Sequence, residues 1–293
     1  MAEPLSTLPL RLAARLPLSL LHRIGWLVGW LLYRLPNRQR RIAQTNLERC
    51  FPELEPAARR RLLRQSLVET ARTGLEMGLF WYAEPERVFA LLREVHGAEA
   101  VAAALAGGKG VIIAAPHFGA WELVGLYCGR QHAITSLYRR PRKVEFDAPV
   151  RAARERVGAH LVATGASGVR ALHAALQRGG MIGILPDQDP RDGAGVFAPF
   201  FGIPAKSMTL LSRLAARSGA AVFLTTAERL PDAAGFRLDF ERLPEAVGDV
   251  DAEQAALALN QALEQRVRRQ PAQYQWCYKR FRSQPEGGAR FYR

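Results

Sequence analysis

From residue 110 onward, short apolar runs alternate with longer segments of helical periodicity, and that rhythm limits what this chain can fold into. Residues 111–115, 132–138, 160–162, 181–185, 221–227 and 236–240 read as strands. Residues 121–129, 144–157, 168–178, 206–218 and 252–269 read as helices between or after them. This alternation builds an α/β fold around a single mixed, largely parallel sheet flanked by helices. In such sheets, functional sites form beyond the carboxyl ends of the strands. Three chemically loaded stretches fall there: His117 after the first run, Tyr138-Arg139-Arg140 after the second, and Asp187-Gln188-Asp189 after 181–185.

Upstream, residues 42–49, 56–82 and 97–107 read as helices, the second opening at Pro56. Residues 16–35, LPLSLLHRIGWLVGWLLYRL, are apolar apart from Ser19, the His22–Arg23 pair and the closing Arg34. A full membrane span needs about 20 apolar residues, and the His22–Arg23 pair breaks the run. The flanking Arg11, Arg15, Arg34, Arg38, Arg40 and Arg41, with Trp26, Trp30 and Tyr33, suit a membrane-embedded or interfacial helix. The chain divides accordingly into a basic, membrane-anchoring helix over residues 1–40 and one catalytic domain over 41–293.

Charge adds to this. Lys and Arg number 41 against 27 acids, a net charge of +14, and residues 1–64 hold twelve Arg and four acids. Such an excess selects an anionic partner: a lipid surface, an acidic protein or a nucleic acid. No zinc-finger or RNA-binding signature supports the last. The three cysteines match no metal or redox spacing, no second histidine has metal-ligand spacing, and there is no G-x-S-x-G elbow. The chemistry expected is direct transfer assisted by a base, without metal or cofactor.

The spacing His117-x4-Glu122 carries no weight alone, since six histidines and 27 acids give about half a match by accident. Placement gives it value, because His117 follows a buried strand and Pro116. In a regular helix, residues five apart lie about 140° around the axis. The two meet only if His117 sits on the turn leading into the helix, a turn that Gly119 permits. Glu122 would then hold one imidazole nitrogen and leave the other as a base. Arg139 and Arg170 stand at the same sheet edge, placed to grip phosphate or an oxyanion. Asp187, Gln188 and Asp189 are expected to position substrate. Phe197, Phe200 and Phe201, late in the same loop, would be core or the wall of an acyl-chain pocket.

Five motifs in order carry a family likeness: Asn46-x3-Cys50-Phe-Pro-Glu53; His117-Phe-Gly-Ala-Trp-Glu122; Tyr138-Arg139; Asp187-Gln-Asp189 with Gly195-Val-Phe-x-Pro-Phe-Phe-Gly202; and Gln275-Trp-x-Tyr-Lys-Arg-Phe281. Together they resemble the lipid A biosynthesis acyltransferases, the lauroyl and myristoyl transferases that add secondary acyl chains. The resemblance implies a glycerolipid-acyltransferase-like fold on the cytoplasmic face of a bacterial inner membrane. It implies acyl carrier protein as the thioester donor and a phosphorylated glycolipid as the acceptor. His117 and Glu122 take the place of that family's His-x4-acid motif, Arg139 that of its arginine, and Asp187 or Asp189 that of its loop acid. Two positions depart from the family: Arg140-Pro-Arg-Lys-Val is more basic than usual, and Tyr278 stands where several members have histidine. An acyltransferase for another membrane lipid, and a non-catalytic basic membrane-peripheral protein, are the competing readings.

Overall fold

The fold is described from a computed structural model, for residues 7–139, 141, 144–190, 195–286, 288 and 291–292. Arg140, Arg142 and residues 191–194 of the long loop lie outside the described residues.

Four helices lead: α1 (Leu8–Ala13), α2 (Leu18–Arg34), α3 (Arg38–Cys50) and α4 (Pro56–Tyr82). Asn37 caps α3 by accepting from the Arg40 N–H, and Pro56 opens α4 where a missing N–H costs nothing. The short α5 (Pro85–Phe89) leads to strand β1 (Leu92–His96) and α6 (Ala98–Ala106). The alternation follows as β2 (Val111–Ala114), α7 (Glu122–His132), β3 (Thr135–Tyr138), α8 (Asp147–Glu155), β4 (His160–Ala163), α9 (Ala166–Gln177) and β5 (Met181–Ile184). Then come β6 (Val196–Phe200), β7 (Ile203–Ser207), α10 (Leu210–Ser218), β8 (Ala221–Arg229), β9 (Phe236–Arg242) and α11 (Ala252–Arg269).

Seven strands form one sheet in the order β1-β9-β8-β2-β5-β3-β4. Strands β8, β2, β5, β3 and β4 are mutually parallel, while β9 runs antiparallel to β8 and β1 pairs parallel with β9. The sheet is therefore mixed and mainly parallel. Strands β2 and β5 are buried along their whole length, as their unbroken apolar runs require. Val111 and Ile113 pack in the layer with Leu79, Phe80, Leu123 and Val124; Ile112 and Ala114 point into the opposite layer with Leu172, Leu176, Leu211 and Leu259. That period of two puts one core on each face.

Two segments depart from the sequence reading. Strand β1 was not expected, because Leu92-Arg-Glu-Val-His96 is mostly polar; it is an edge strand, half exposed. The long loop contains the β6–β7 hairpin, so the helix expected from 206 begins at Leu210. The hairpin turn is Phe201-Gly202, both with positive φ (54° and 70°) between the paired Phe200 and Ile203. Two-residue turns of this hand are normally Asn-Gly or Asp-Gly, so Phe-Gly gives no signal.

The N-terminal helix α2 is 17 residues long, and among the described residues no helix is long and apolar enough to cross a membrane. It lies along α4. Leu18, Leu21, His22, Gly25 and Gly29 are buried, and Trp26, Leu27, Leu31 and the following Leu35 are exposed. The glycines allow close approach: a Cβ on Gly29 would overlap the Val68 backbone. We expect Gly29→Val to destabilise the fold by on the order of 3 kcal/mol through overpacking. Leu27→Ala, on the outer face of the same helix, should stay within about 0.5 kcal/mol of wild type. Urea unfolding of the two variants checks both.

Candidate active site

Parallel pairing places the site. Val111 pairs with Met181 and Ala114 with Ile184, an offset maintained along the two strands. The chains leave the sheet side by side, and three residues further on His117 faces Asp187. Asp187 Oδ1 lies 2.9 Å from His117 Nδ1, and its Oδ2 accepts the His117 backbone N–H at 2.9 Å. Gln188 Nε2 lies 3.1 Å from His117 Nε2. Asp187 is buried, and the imidazole is about one-eighth exposed. Nδ1–H donating to the carboxylate leaves the Nε2 lone pair as acceptor, with the Gln188 amide donating to it. Burial alone would raise the Asp187 pKa, but the imidazole and the N–H bonds prevail and hold it below the ordinary carboxylate range.

The turn after His117 is clamped on both sides. Gly119 N–H donates to the Gln273 carbonyl at 2.9 Å and Ala120 N–H to the Ala227 carbonyl at 2.8 Å. The His117 carbonyl accepts from Gln275 N–H at 3.1 Å. Gly119 has φ +57°, and a Cβ there would overlap the Ala227 carbonyl, so glycine is required. Its carbonyl accepts from Arg229 Nη2 at 3.0 Å. Arg229 is itself buried: its Nε and Nη2 both reach Glu76, and Nη1 reaches Glu69. Glu76 also meets His22 Nε2 of α2 at 2.7 Å. Burial opposes ionisation of Glu76, yet Arg229 and His22 hold its pKa below the ordinary value. The same carboxylate raises the Arg229 pKa against the effect of burial.

The expected His117–Glu122 pair is not the one formed. Both nitrogens of the imidazole are engaged by Asp187 and Gln188, and Glu122, buried at the start of α7, takes two N–H groups of Arg154 from α8. Once the turn is closed, helix α7 carries Glu122 onward to α8. The residue between them makes the link: the Trp121 ring lies 5.0 Å from the His117 ring, and the Arg154 guanidinium stacks 5.9 Å from Trp121. Glu122 thus positions Arg154, which backs the indole against the imidazole.

The other predicted residues fall in three places. Asp189 is buried and turns away from His117, accepting from Ser283 N–H at 2.9 Å and Ser283 Oγ at 3.2 Å. It clamps the C-terminal segment, with Tyr278 Oη accepting the Asp189 N–H at 3.1 Å. Arg139 and Arg170 are exposed, after β3 and on α9, with no hydrogen bond to His117 or Asp187 among the described residues. Phe200 and Phe201 are core: both pack in an aromatic cluster with Phe51, Tyr274 and Trp276. Phe197 is half-buried in β6. Sequence reasoning missed Arg154, Arg229 and Gln273, which carry no local motif, and Tyr274, whose pKa burial and the nearby Asp187 charge push well above that of a free phenol. No group of three or more metal-ligating side chains occurs among the described residues.

Residues 5–283 match the family described as bacterial lipid A biosynthesis acyltransferase. The chain belongs to that family. It is 30% identical over 283 residues to the lipid A biosynthesis palmitoleoyltransferase of Escherichia coli K12, covering 95% of this chain and 90% of the relative. It is 29% identical over 278 residues to the lauroyltransferase of the same organism, covering 94% and 90%. A Haemophilus influenzae lipid A biosynthesis acyltransferase is 25% identical over 276 residues, covering 92% and 87%. In this acyltransferase, Asp187 is the carboxylate on the His117 imidazole.

The buried charges give the acyltransferase an acid-sensitive core. The folded pKa of Asp187 and of Glu76 lies below the unfolded value of about 4. Their stabilisation is complete above the unfolded pKa and is lost as pH falls through the depressed folded value. Glu76→Gln should cost about 3–5 kcal/mol at pH 7 by leaving Arg229 buried without its counter-charge. It should also flatten the fall in stability below about pH 4. Urea unfolding of both proteins between neutral and acidic pH tests this.

Proposed function

We propose that this lipid A acyltransferase moves a fatty acyl chain from an acyl-carrier-protein thioester to a hydroxyl of a phosphorylated glycolipid precursor, with His117 as general base and Asp187 as its orienting carboxylate. The observation that carries the reading is the Asp187–His117 Nδ1 bond at 2.9 Å, which leaves the Nε2 lone pair as the acceptor. The acceptor hydroxyl displaces the Gln188 amide from His117 Nε2, which takes its proton as the oxygen attacks the thioester carbonyl. The oxyanion meets the positive N-terminal end of α7 or the Gln188 amide. Collapse breaks the C–S bond, and the imidazolium returns its proton to the departing thiolate. Asp187 stabilises that imidazolium without itself taking a proton. Trp121 and the Glu122–Arg154 pair keep the ring upright. No step requires a metal or cofactor. Arg139 and Arg170 offer exposed guanidinium groups to lipid phosphates.

The outer face of α1 and α2 supports residence at an anionic membrane surface. Leu8, Leu12, Trp26, Leu27 and Leu35 are each half or more exposed, flanked by Arg11, Arg15, Arg34 and Arg38. A contiguous apolar stripe with basic flanks lies in the interface, its apolar side among the acyl chains. A glycolipid acceptor would then reach His117 from the cytoplasmic leaflet of the inner membrane, and the surrounding arginines would draw in the acidic carrier protein.

His117→Ala should lower kcat by about 10³-fold or more, and Asp187→Asn by about 10²–10⁴-fold, with little change in unfolding midpoint for His117→Ala. Mass spectrometry of lipid A from cells with and without the active gene should differ by one acyl chain; identical lipid A would sink the reading. Leu27→Asp with Leu31→Asp should abolish flotation with vesicles rich in anionic phospholipid while the protein remains folded.

A further inference from the structure

A cleft of about 630 Å³ opens at the end of β8, walled by α2 and α4 and by the turn after β8. That volume suits a small ligand rather than a protein segment. Its depth is formed in part by Arg229 and Gln273, the two residues that hold Gly119. A ligand in the cleft therefore lies behind the same turn that carries His117. In the sheet order, β8 flanks β2 on the side opposite β5 and β3, so the cleft and Arg139 lie on opposite sides of His117.

The rim is chemically distinctive. Ser19, Arg23, Trp26, Asp232 and Gln270 line it, and none of these side chains has a hydrogen-bond or ion-pair partner among the described residues. Arg23 and Trp26 only donate, Asp232 only accepts, and Ser19 and Gln270 do both. The deeper charges are already committed: Arg72 to Glu69, and Arg229 to Glu69 and Glu76. Asp232 also sits in the left-handed region (φ 54°), followed by Ala233 in the same region (φ 55°); a non-glycine pair adopts this only at some conformational cost.

On this rim, one cation and one carboxylate without protein partners among the described residues, an indole face, a hydroxyl and an amide do not suit a bare dianion, which calls for several cations. They suit a ring of hydroxyls carrying one phosphate: the hydroxyls bond to acceptor and donor in turn, the phosphate meets Arg23, and the ring's apolar face lies on Trp26. Trp26 and Arg23 belong to α2, whose neighbouring Leu27 and Leu31 are exposed. A ligand with its polar head in the cleft would extend its tails along that apolar face. We propose that this cleft binds the phosphorylated-sugar head of the glycolipid acceptor, an assignment that rests on the acyl-transfer reading above.

The test has two arms. In the first, titration of wild type with glucosamine 1-phosphate, followed by Trp fluorescence and isothermal calorimetry, needs no activity. Saturable binding is expected, weakened about tenfold or more in Arg23→Ala with Asp232→Ala, and much weaker with glucosamine alone or inorganic phosphate alone. Equal binding of inorganic phosphate, no binding of the sugar phosphate, or unchanged binding by the double variant would overturn the proposal. In the second arm, the double variant should raise the acceptor KM about tenfold or more while the thioester KM stays within about twofold and vesicle flotation matches an Arg34→Ala control. An unchanged acceptor KM, or a loss explained by flotation, refutes the cleft. A wild-type protein that binds the sugar phosphate but transfers no acyl group refutes the reaction and not the cleft.

Discussion

The parallel pairing of β2 with β5 is the constraint on which the site depends. Both strands are fully buried, so their register is fixed by packing on two faces: a slip of one residue would turn every apolar side chain to the wrong layer. Because the strands are parallel, the register persists where they leave the sheet. His117 and Asp187, each three residues beyond a paired position, are brought opposite without any local motif joining them. The His117–Asp187 geometry is inherited from the sheet, and the loops only have to hold it.

Holding it falls to the side of β8. The Gly119-Ala120 turn is pinned by main-chain bonds from Gly119 to Gln273 and from Ala120 to Ala227, and by Arg229 from within a buried cluster of charges. That cluster is satisfied on every side by Glu76, Glu69 and Thr73. A buried arginine with an acceptor at each of its three nitrogens fixes its own position closely, and here it transmits that position to the turn carrying His117. The opposite side of the imidazole is kept by Trp121, backed by Arg154 and Glu122. The motif glutamate contributes at one remove, through an indole.

Much of this was legible in the chain. The alternation of apolar runs and helical segments carried the α/β class and the main helices: α4 opens at Pro56 and α11 covers 252–269, as read from the chain. The strand-end position of His117 was legible for the same reason. Its partner was not. Spacing favoured Glu122, five residues away, over Asp187, seventy away, because one sequence does not reveal which two strands are neighbours. The β6–β7 hairpin was hidden by a Phe-Gly turn that only tertiary packing makes tolerable: Phe201 N–H donates to Glu264 at 2.6 Å, and Arg268 stacks on its ring at 4.5 Å. Phe200 and Phe201 were half read, since apolar residues late in a loop can serve a pocket or a core, and the aromatic cluster around Trp276 decides for core.

Helix α2 has two faces with unlike duties. Its outer face is apolar and exposed; its inner face supplies His22 to the charge cluster and two glycines to the seam with α4. Trimming this helix to reduce its exposed apolar surface would uncover Glu76 and open the seam beneath it. Such changes have to be confined to the outward leucines, with the helix left in its seat.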